Sequence, residues 1–131
     1  MSFAYKEYEE YLKKMQKAAE GGPAFIERFM QKTALQLLRD IKLITPVDTG
    51  AMRNSWGVSK VYRIGKDKIG FYLFNKMEYS SFVNDGHTTP NRDGWVEGYY
   101  MVEVSTTEIE KKLPKRFNAE FKAYLKKLEV L

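Results

Sequence analysis

The stretch "ITPVDTGAMRNSW", residues 44–56, decides how the chain is read. Its triplet Asp48-Thr49-Gly50 matches the signature of aspartic proteases. Such an enzyme needs two carboxylates sharing a proton. A chain of 131 residues could supply them only as a homodimer, one Asp48 from each copy. The usual setting is an apolar strand running straight into the aspartate, with a second supporting strand-turn element. Here an amphipathic helical pattern and a Thr-Pro break precede Asp48, and "LITPV" is too short for that strand. The architectural reading needs less. Pro46 ends a helix, since the residue before a proline is pushed out of the helical region. Asp48 accepts backbone N–H bonds from residues just ahead, in an Asx-type turn or as the cap of a short turn through "TGAMRNS". Gly50 is free to take a positive φ. Arg53 is a candidate partner for Asp48, and Arg53 and Trp56 pin the turn to the following sheet.

Upstream of this corner, Ile26, Phe29, Met30, Thr33, Ala34, Leu37, Leu38 and Ile41 form one broad apolar helical stripe. Pro23 suits the first turn of that helix, where its missing N–H costs nothing. Residues 3–19 form an earlier helix, with Tyr8, Leu12, Met15 and Ala19 near helical spacing and Glu9–Lys13 and Glu10–Lys14 pairs in the favourable order. Gly21-Gly22 is expected to stop it. Residues 1–22 are therefore expected as a helix set apart from the rest, whose stripe serves either the core or a neighbouring subunit.

Downstream, residues 56–62 alternate as a strand, and "KIGFYLFN", 68–75, reads as a second, with "GKDK" turning between them. "MEYSSFVNDGH" reads as a short helix presenting Tyr79, Phe82 and Val83 and stopped by Gly86. "GHTTPNRDG", 86–94, is a polar loop with no packing pattern, long enough to suggest mobility or function. "WVEGYYMVEV", 95–104, reads as a third strand. Ser105 and Glu108 form a capping box that starts a C-terminal helix with an apolar stripe from Ile109 to Leu128. Pro114 predicts a kink or break. The expectation is a single α+β domain over residues 1–131: a small antiparallel sheet of three to four strands packed against long N-terminal and C-terminal helices.

Composition narrows the function. Hydrophobic residues make up 44% and charged residues 30%, an ordinary globular balance. No apolar run is long enough for a transmembrane helix, and the N-terminus carries no secretory h-region. The absence of cysteine excludes disulfides and thiolate zinc sites and fits synthesis in a reducing compartment. His87 is the one histidine, so no histidine metal cluster forms; it reads as a loop histidine. Glu78, Asp85, Asp93 and Glu97 flank the long loop but make only a weak cation site. No phosphate-binding glycine loop is present, and nothing assembles a nucleophile, base and orienting group. No cofactor is implied. The net charge of +5 tolerates nucleic acid nearby. Its densest clusters, Lys111, Lys112, Lys115, Arg116 and Lys122, Lys126, Lys127, lie beside acidic residues, as on a solvated helix face. Aromatic residues are abundant at 15%, which suits a protein with much contact surface.

Taken together, "TPVDTGAMRNSW" after a long amphipathic helix, a hairpin, "NKMEYSSFVNDGH" and "GWVEGYYMV" resemble the gene-ten-like tail-component family of lambdoid siphophages and prophages. Thr45, Pro46, Val47, Asp48, Thr49, Gly50, Arg53 and Ser55 or Trp56 match its first block. Asn75, Tyr79, Phe82, Val83, Gly86 and His87 match its second, and Gly94, Trp95, Gly98 and Met101 its last. Met52 departs from the common Leu, Ser80 from Ala, and Asn84 from an acidic residue. The resemblance spans residues 25 to 110. It implies a non-enzymatic virion protein, made in the bacterial host cytoplasm and built into the head–tail junction as a neck or tail-completion component. It further implies a homo-oligomer, ring-like in the virion, docking connector or head-completion proteins and tail-terminator or tail-tube proteins, with DNA only in passing and no membrane. Tyr79, Phe82, Gly86, His87 and Trp95 are the interface candidates at the base of the loop. The alternatives are a basic nucleic-acid-binding module and, less favoured, the homodimeric protease using Asp48.

Overall fold

A computed structural model of the chain describes residues 2–46, 50–66 and 68–131. The elements run α1 (Ser2–Ile44), α2 (Gly50–Asn54), β1 (Trp56–Val58), β2 (Tyr62–Ile64), β3 (Lys68–Gly70), β4 (Leu73–Asn75), α3 (Ser80–Asp85), β5 (Gly86–Thr88), β6 (Trp95–Glu97) and α4 (Met101–Lys127). This is the α+β class the sequence predicts, dominated by its two long helices. The strands pair as three two-stranded antiparallel sheets, β1–β4, β2–β3 and β5–β6, rather than as one sheet of three to four strands.

The chain divides into two compact units. The first joins the chain up to Phe29 to Lys112–Leu131. Gly21-Gly22 does not stop a helix there, and Pro23 does not open one: α1 runs through all three. Gly21 serves close approach instead. A Cβ at that position would lie 2.5 Å from the Tyr124 hydroxyl, which donates to the Ala18 carbonyl at 2.7 Å. Pro23 leaves the Ala19 carbonyl without its helical donor, but both residues are exposed and water can serve it. Phe25 and Phe29 are buried against an aromatic row on α4. Phe25 packs on Phe117, Phe121 and Tyr124 at centroid distances of 5.9, 5.6 and 4.8 Å, and Phe29 meets Phe117 edge-on at 5.2 Å. The Arg116 guanidinium lies 5.1 Å from the Phe29 ring centre, a cation–π geometry. Residues 9–22 are therefore not a helix set apart: Ala18 and Gly21 meet α4. The expected stripe falls differently too, with Leu12, Met15 and Ala19 on the exposed side. α4 likewise runs through Pro114 without a break.

The second unit is Met30–Lys111. Its core gathers Ile41, Met52, Trp56 and Met101, with Leu38, Leu73, Met77, Val83 and Val102 packed around them. Both expected strands of the first hairpin are interrupted midway, so β1 pairs with β4 and β2 with β3. The gap is bridged by Ser59. Its N–H donates to Tyr72 O and its hydroxyl accepts from Tyr72 N, both at 2.8 Å. A side chain thus replaces a backbone partner where the ladder breaks. Beyond the gap, Tyr62 and Tyr72 stack at 5.2 Å.

Two further expectations fail for one reason. The strand expected over 95–104 ends at Glu97, and α4 begins at Met101 rather than at Ser105. The cap comes from outside the helix. Asn84 at the end of α3 is buried, and its side-chain oxygen accepts from Val102 N at 2.9 Å. This satisfies one of the orphan donors of the first turn. Its amide donates to both Glu103 carboxylate oxygens at 3.2 and 3.1 Å and to Asp85 at 2.8 Å. Tyr100, at φ 51°, makes the reversal into the helix, its own N–H donating to Asn84 O at 2.9 Å. An amide suits position 84 better than a carboxylate here, because a carboxylate would face Glu103 with like charge.

Ser105, one turn into α4, is buried with its hydroxyl unpartnered. Thermal unfolding separates the two accounts of this helix start. Ser105→Ala is expected to be neutral or mildly stabilising, whereas loss of a true N-cap costs about 1 kcal/mol. Asn84→Ala is expected to cost about 1–3 kcal/mol, the range for leaving buried polar groups unsatisfied.

Candidate functional site

The second unit holds two constellations that the sequence singles out. The first is the corner after α1. Asp48 and Thr49 lie outside the described residues, as does the proposed Asp48–Arg53 pair. Pro46 follows the helix end, and Gly50 opens α2. Arg53 reaches back to α1: its Nε donates to Lys42 O at 2.6 Å and its Nη2 to Leu43 O at 3.4 Å. Those carbonyls belong to the last helical turn, which carries the negative end of the helix dipole; Thr45 N serves Ile41 O at 3.1 Å and Lys42 O only at 3.4 Å. Trp56 Nε1 donates to the Thr45 hydroxyl at 2.9 Å, which donates to Ile41 O at 2.6 Å. Both side chains are buried. Asn75 closes the other side, donating to Met52 O at 2.8 Å and accepting from Met77 N at 2.9 Å. The element leading toward Asp48 is a helix through Ile44, not the apolar strand of a protease site.

The second constellation is a cleft of about 450 Å³ lined by Tyr79, Phe82, Val83, His87, Thr88, Thr89, Pro90 and Arg92. Three of the five sequence candidates, Tyr79, Phe82 and His87, meet there. Phe82 and His87 pack edge to face at 6.0 Å. His87 Nδ1 lies 2.9 Å from Thr88 O; a carbonyl only accepts, so this contact requires the Nδ1–H form. Gly86 and Trp95 do not line the cleft. Gly86, buried at φ 89°, joins α3 to β5 beside it. A Cβ there would meet Val96 O at 2.6 Å and the Trp95 ring at 2.7 Å, so Trp95 lies across the glycine on the hairpin.

The expected patternless loop 86–94 is a hairpin, β5–β6, in the register Gly86↔Glu97, His87↔Val96, Thr88↔Trp95. Its tip is ordered by polar groups, which hydrophobic periodicity cannot show. Thr89 N donates to Gly94 O at 3.0 Å, and Arg92 N to Thr89 O at 2.8 Å. The Thr89 hydroxyl accepts from Gly94 N at 3.0 Å and lies within 3.1 Å of Asn91 and Asp93 side-chain oxygens. Arg92, at φ 61°, thereby brings a cation to the rim of an apolar cleft. The sequence reading missed it; the turn-rich "TTPNRDG" was the available signal. Glu78, Asp85, Asp93 and Glu97 do not gather: among the described residues no group of three or more acidic or histidine side chains is positioned to hold a metal ion.

A family model described as "Bacteriophage HK97-gp10, putative tail-component" matches residues 9–86. The chain belongs to this family. Membership makes it a structural tail component of a tailed phage, and so part of the virion. The match covers α1 from residue 9, the corner, β1 to β4 and α3, and it ends where the Gly86 hairpin begins. No curated protein and no solved structure matches the chain. Among the described residues, no helix is long and apolar enough to cross a membrane. The basic clusters of this tail component lie on α4 among carboxylates, with Lys111–Glu108 at 3.7 Å and Arg116–Glu120 at 3.8 Å.

The corner is testable by a double-mutant cycle. Trp56→Phe and Thr45→Val are each expected to destabilise, with a coupling of about 1 kcal/mol, the net value of one buried hydrogen bond. Additive effects in urea unfolding would remove the link. The hairpin also has an alkaline signature. The Tyr100 hydroxyl donates to Glu97, and this bond, helped by desolvation and nearby carboxylates, raises the phenol above its ordinary 10.0. Its contribution is present below pH about 10 and is lost as pH rises through the raised value. Tyr100→Phe should lack that alkaline step in a stability–pH profile.

Proposed function

We propose that this tail component acts at the head–tail junction, as a neck or tail-completion protein. It assembles into a closed ring of identical subunits, and the cleft between α3 and the β5–β6 hairpin receives a neighbouring virion protein, a connector or tail subunit. The carrying observation is the exposed aromatic pair in the cleft: Tyr79 and Phe82 line it, and Trp95, Tyr99 and Tyr100 are also solvent-exposed on β6 and in the segment after it. Aromatic side chains with polar tips are the usual anchors of protein contacts, and they act best in a preformed pocket. Arg92 at the rim favours a partner segment that places an acidic group beside an apolar one. A ring requires a head-to-tail interface whose rotation closes. DNA passes such a ring without being read by it, and the modest positive charge is compatible with that passage.

The test is made in particles. Phe82→Ala with Arg92→Ala leaves the buried core untouched, since both side chains are exposed. Lysates carrying the pair should show, by electron microscopy, full heads and separate tails, or tails with defective ends, and a titre reduced by at least about a hundredfold, as expected when an anchor and its charge partner are both lost. Normal joined particles at wild-type titre would refute the placement.

A further inference from the structure

We propose that the cleft takes its partner as an added β-strand: an extended segment of another virion protein that pairs main chain to main chain with the outer edge of β5, at Thr88. The inference rests on the reading that the cleft is the docking site, and it names how the partner is held there.

The hydrogen-bond ladder shows where that edge points. In an antiparallel pair, alternate residues turn both N–H and C=O toward the partner strand, and the residues between them turn both away. The Thr89 N–H donates to Gly94 O at 3.0 Å, one step beyond the Thr88↔Trp95 pair of the register. His87 is therefore bonded to β6, while Gly86 and Thr88 turn their main-chain groups outward. Gly86 follows the same parity, since its N–H leaves β6 for the Phe82 carbonyl of α3. The outer edge of β5 thus faces α3, and the cleft lies in that gap. Tyr79, Phe82 and Val83 line one wall, and His87, Thr88 and Thr89 the other. Successive residues of an extended chain put their side chains on opposite faces. A cleft lined by three consecutive residues runs along the edge of the strand, not over one face.

The state of the edge selects an extended occupant. The Thr88 carbonyl takes the His87 Nδ1–H at 2.9 Å and keeps a second lone pair. The Thr88 N–H meets no acceptor outside the ladder among the described residues. A helix laid in the cleft satisfies its own main chain, and would bury that N–H without a partner, which is unfavourable. An extended segment brings a carbonyl to it. This is strand addition to an open sheet edge, in which main-chain bonds hold the segment and alternate side chains select it. The walls state the selection. Tyr79 and Phe82 take an apolar side chain, and Arg92, exposed on the same cleft, takes a carboxylate. The occupant is therefore an extended segment with an apolar and an acidic side chain close together in sequence.

Two variants of the full chain separate main-chain from side-chain recognition. Thr88→Pro removes the outward N–H and leaves the β5–β6 bonds in place, a position where an edge strand tolerates proline. Thr88→Val changes the side chain and keeps the N–H. With circular dichroism and urea unfolding like the wild type, Thr88→Pro should cut the yield of joined particles about ten- to hundredfold, as for a buried group left without its partner. Thr88→Val should join heads to tails at near wild-type yield. Hydrogen exchange needs no variant: the Thr88 amide should exchange freely in the purified chain and at least about tenfold more slowly in joined particles, as a newly bonded amide does. If Thr88→Pro alters folding, the exchange measurement decides alone. A folded Thr88→Pro chain that joins particles normally overturns the proposal. So does Thr88→Val as damaging as Thr88→Pro, or a Thr88 amide that exchanges equally fast in particles. Should Phe82→Ala with Arg92→Ala block joining while Thr88→Pro permits it, docking at the cleft stands and strand addition falls. Normal joining by the Phe82 and Arg92 pair sinks the docking reading itself.

Discussion

The last turn of α1 presents carbonyls that its own helix satisfies only in part, and the corner of the second unit is organised around them. Arg53 takes Lys42 O and Leu43 O, and the buried relay from Trp56 through the Thr45 hydroxyl reaches Ile41 O, which the Thr45 N–H also serves at 3.1 Å. Because Trp56 is also the first residue of β1 and a member of the core, the relay sets the direction in which the chain leaves the helix. β1 then fixes β4, and Asn75 at the end of β4 returns to the α2 carbonyl at Met52. Helix end, corner and ribbon form a closed circuit of hydrogen bonds in which each member constrains the next.

Asn84 performs the same task at the other end of the unit. It joins the end of α3 to the beginning of α4 by one side chain used in both senses, acceptor to Val102 and donor to Glu103. The hairpin that forms one wall of the aromatic cleft therefore stands between two anchored helix termini. Its tip needs no apolar core, since Thr89 and its neighbours satisfy one another. The cleft is thus ordered by the chain's own contacts, and a partner docking there as proposed would meet a lower entropic cost.

Local chemistry was legible in the sequence, and long-range substitution for it was not. The α+β class, the end of the helix before Pro46, the short helix within "MEYSSFVNDGH" (Ser80–Asp85 in the structure) and its stop at Gly86 follow from periodicity and backbone preference. Gly21-Gly22 misled because a glycine pair stops a helix only when nothing pays for continuing it, and Tyr124, 103 positions away, fits only where residue 21 lacks a side chain. Ser105 and Glu108 misled because a capping box is a local pattern, while the actual cap arrives from Asn84. The continuous apolar run of "YYMV" reads as a strand, but its residues belong to a reversal and a helix start. At the cleft, Tyr79 and Phe82 could be found from spacing and His87 only from the family resemblance; Arg92 could not, because the hydrogen-bonded tip that presents it has no period.

The two units differ in how far apart their pieces lie along the chain. Met30–Lys111 is one uninterrupted stretch, and each of its three ribbons joins strands close in sequence. The other unit ties Ala18 to Tyr124, 106 positions apart. During synthesis the first kind of unit has all its parts once residue 111 has left the ribosome. The second must wait until Phe117, Phe121 and Tyr124 have emerged, with Phe25 and Phe29 uncovered in the meantime. Its two halves are thus separated in time as well as in sequence, and the arrival of the aromatic row is the step that covers those two rings.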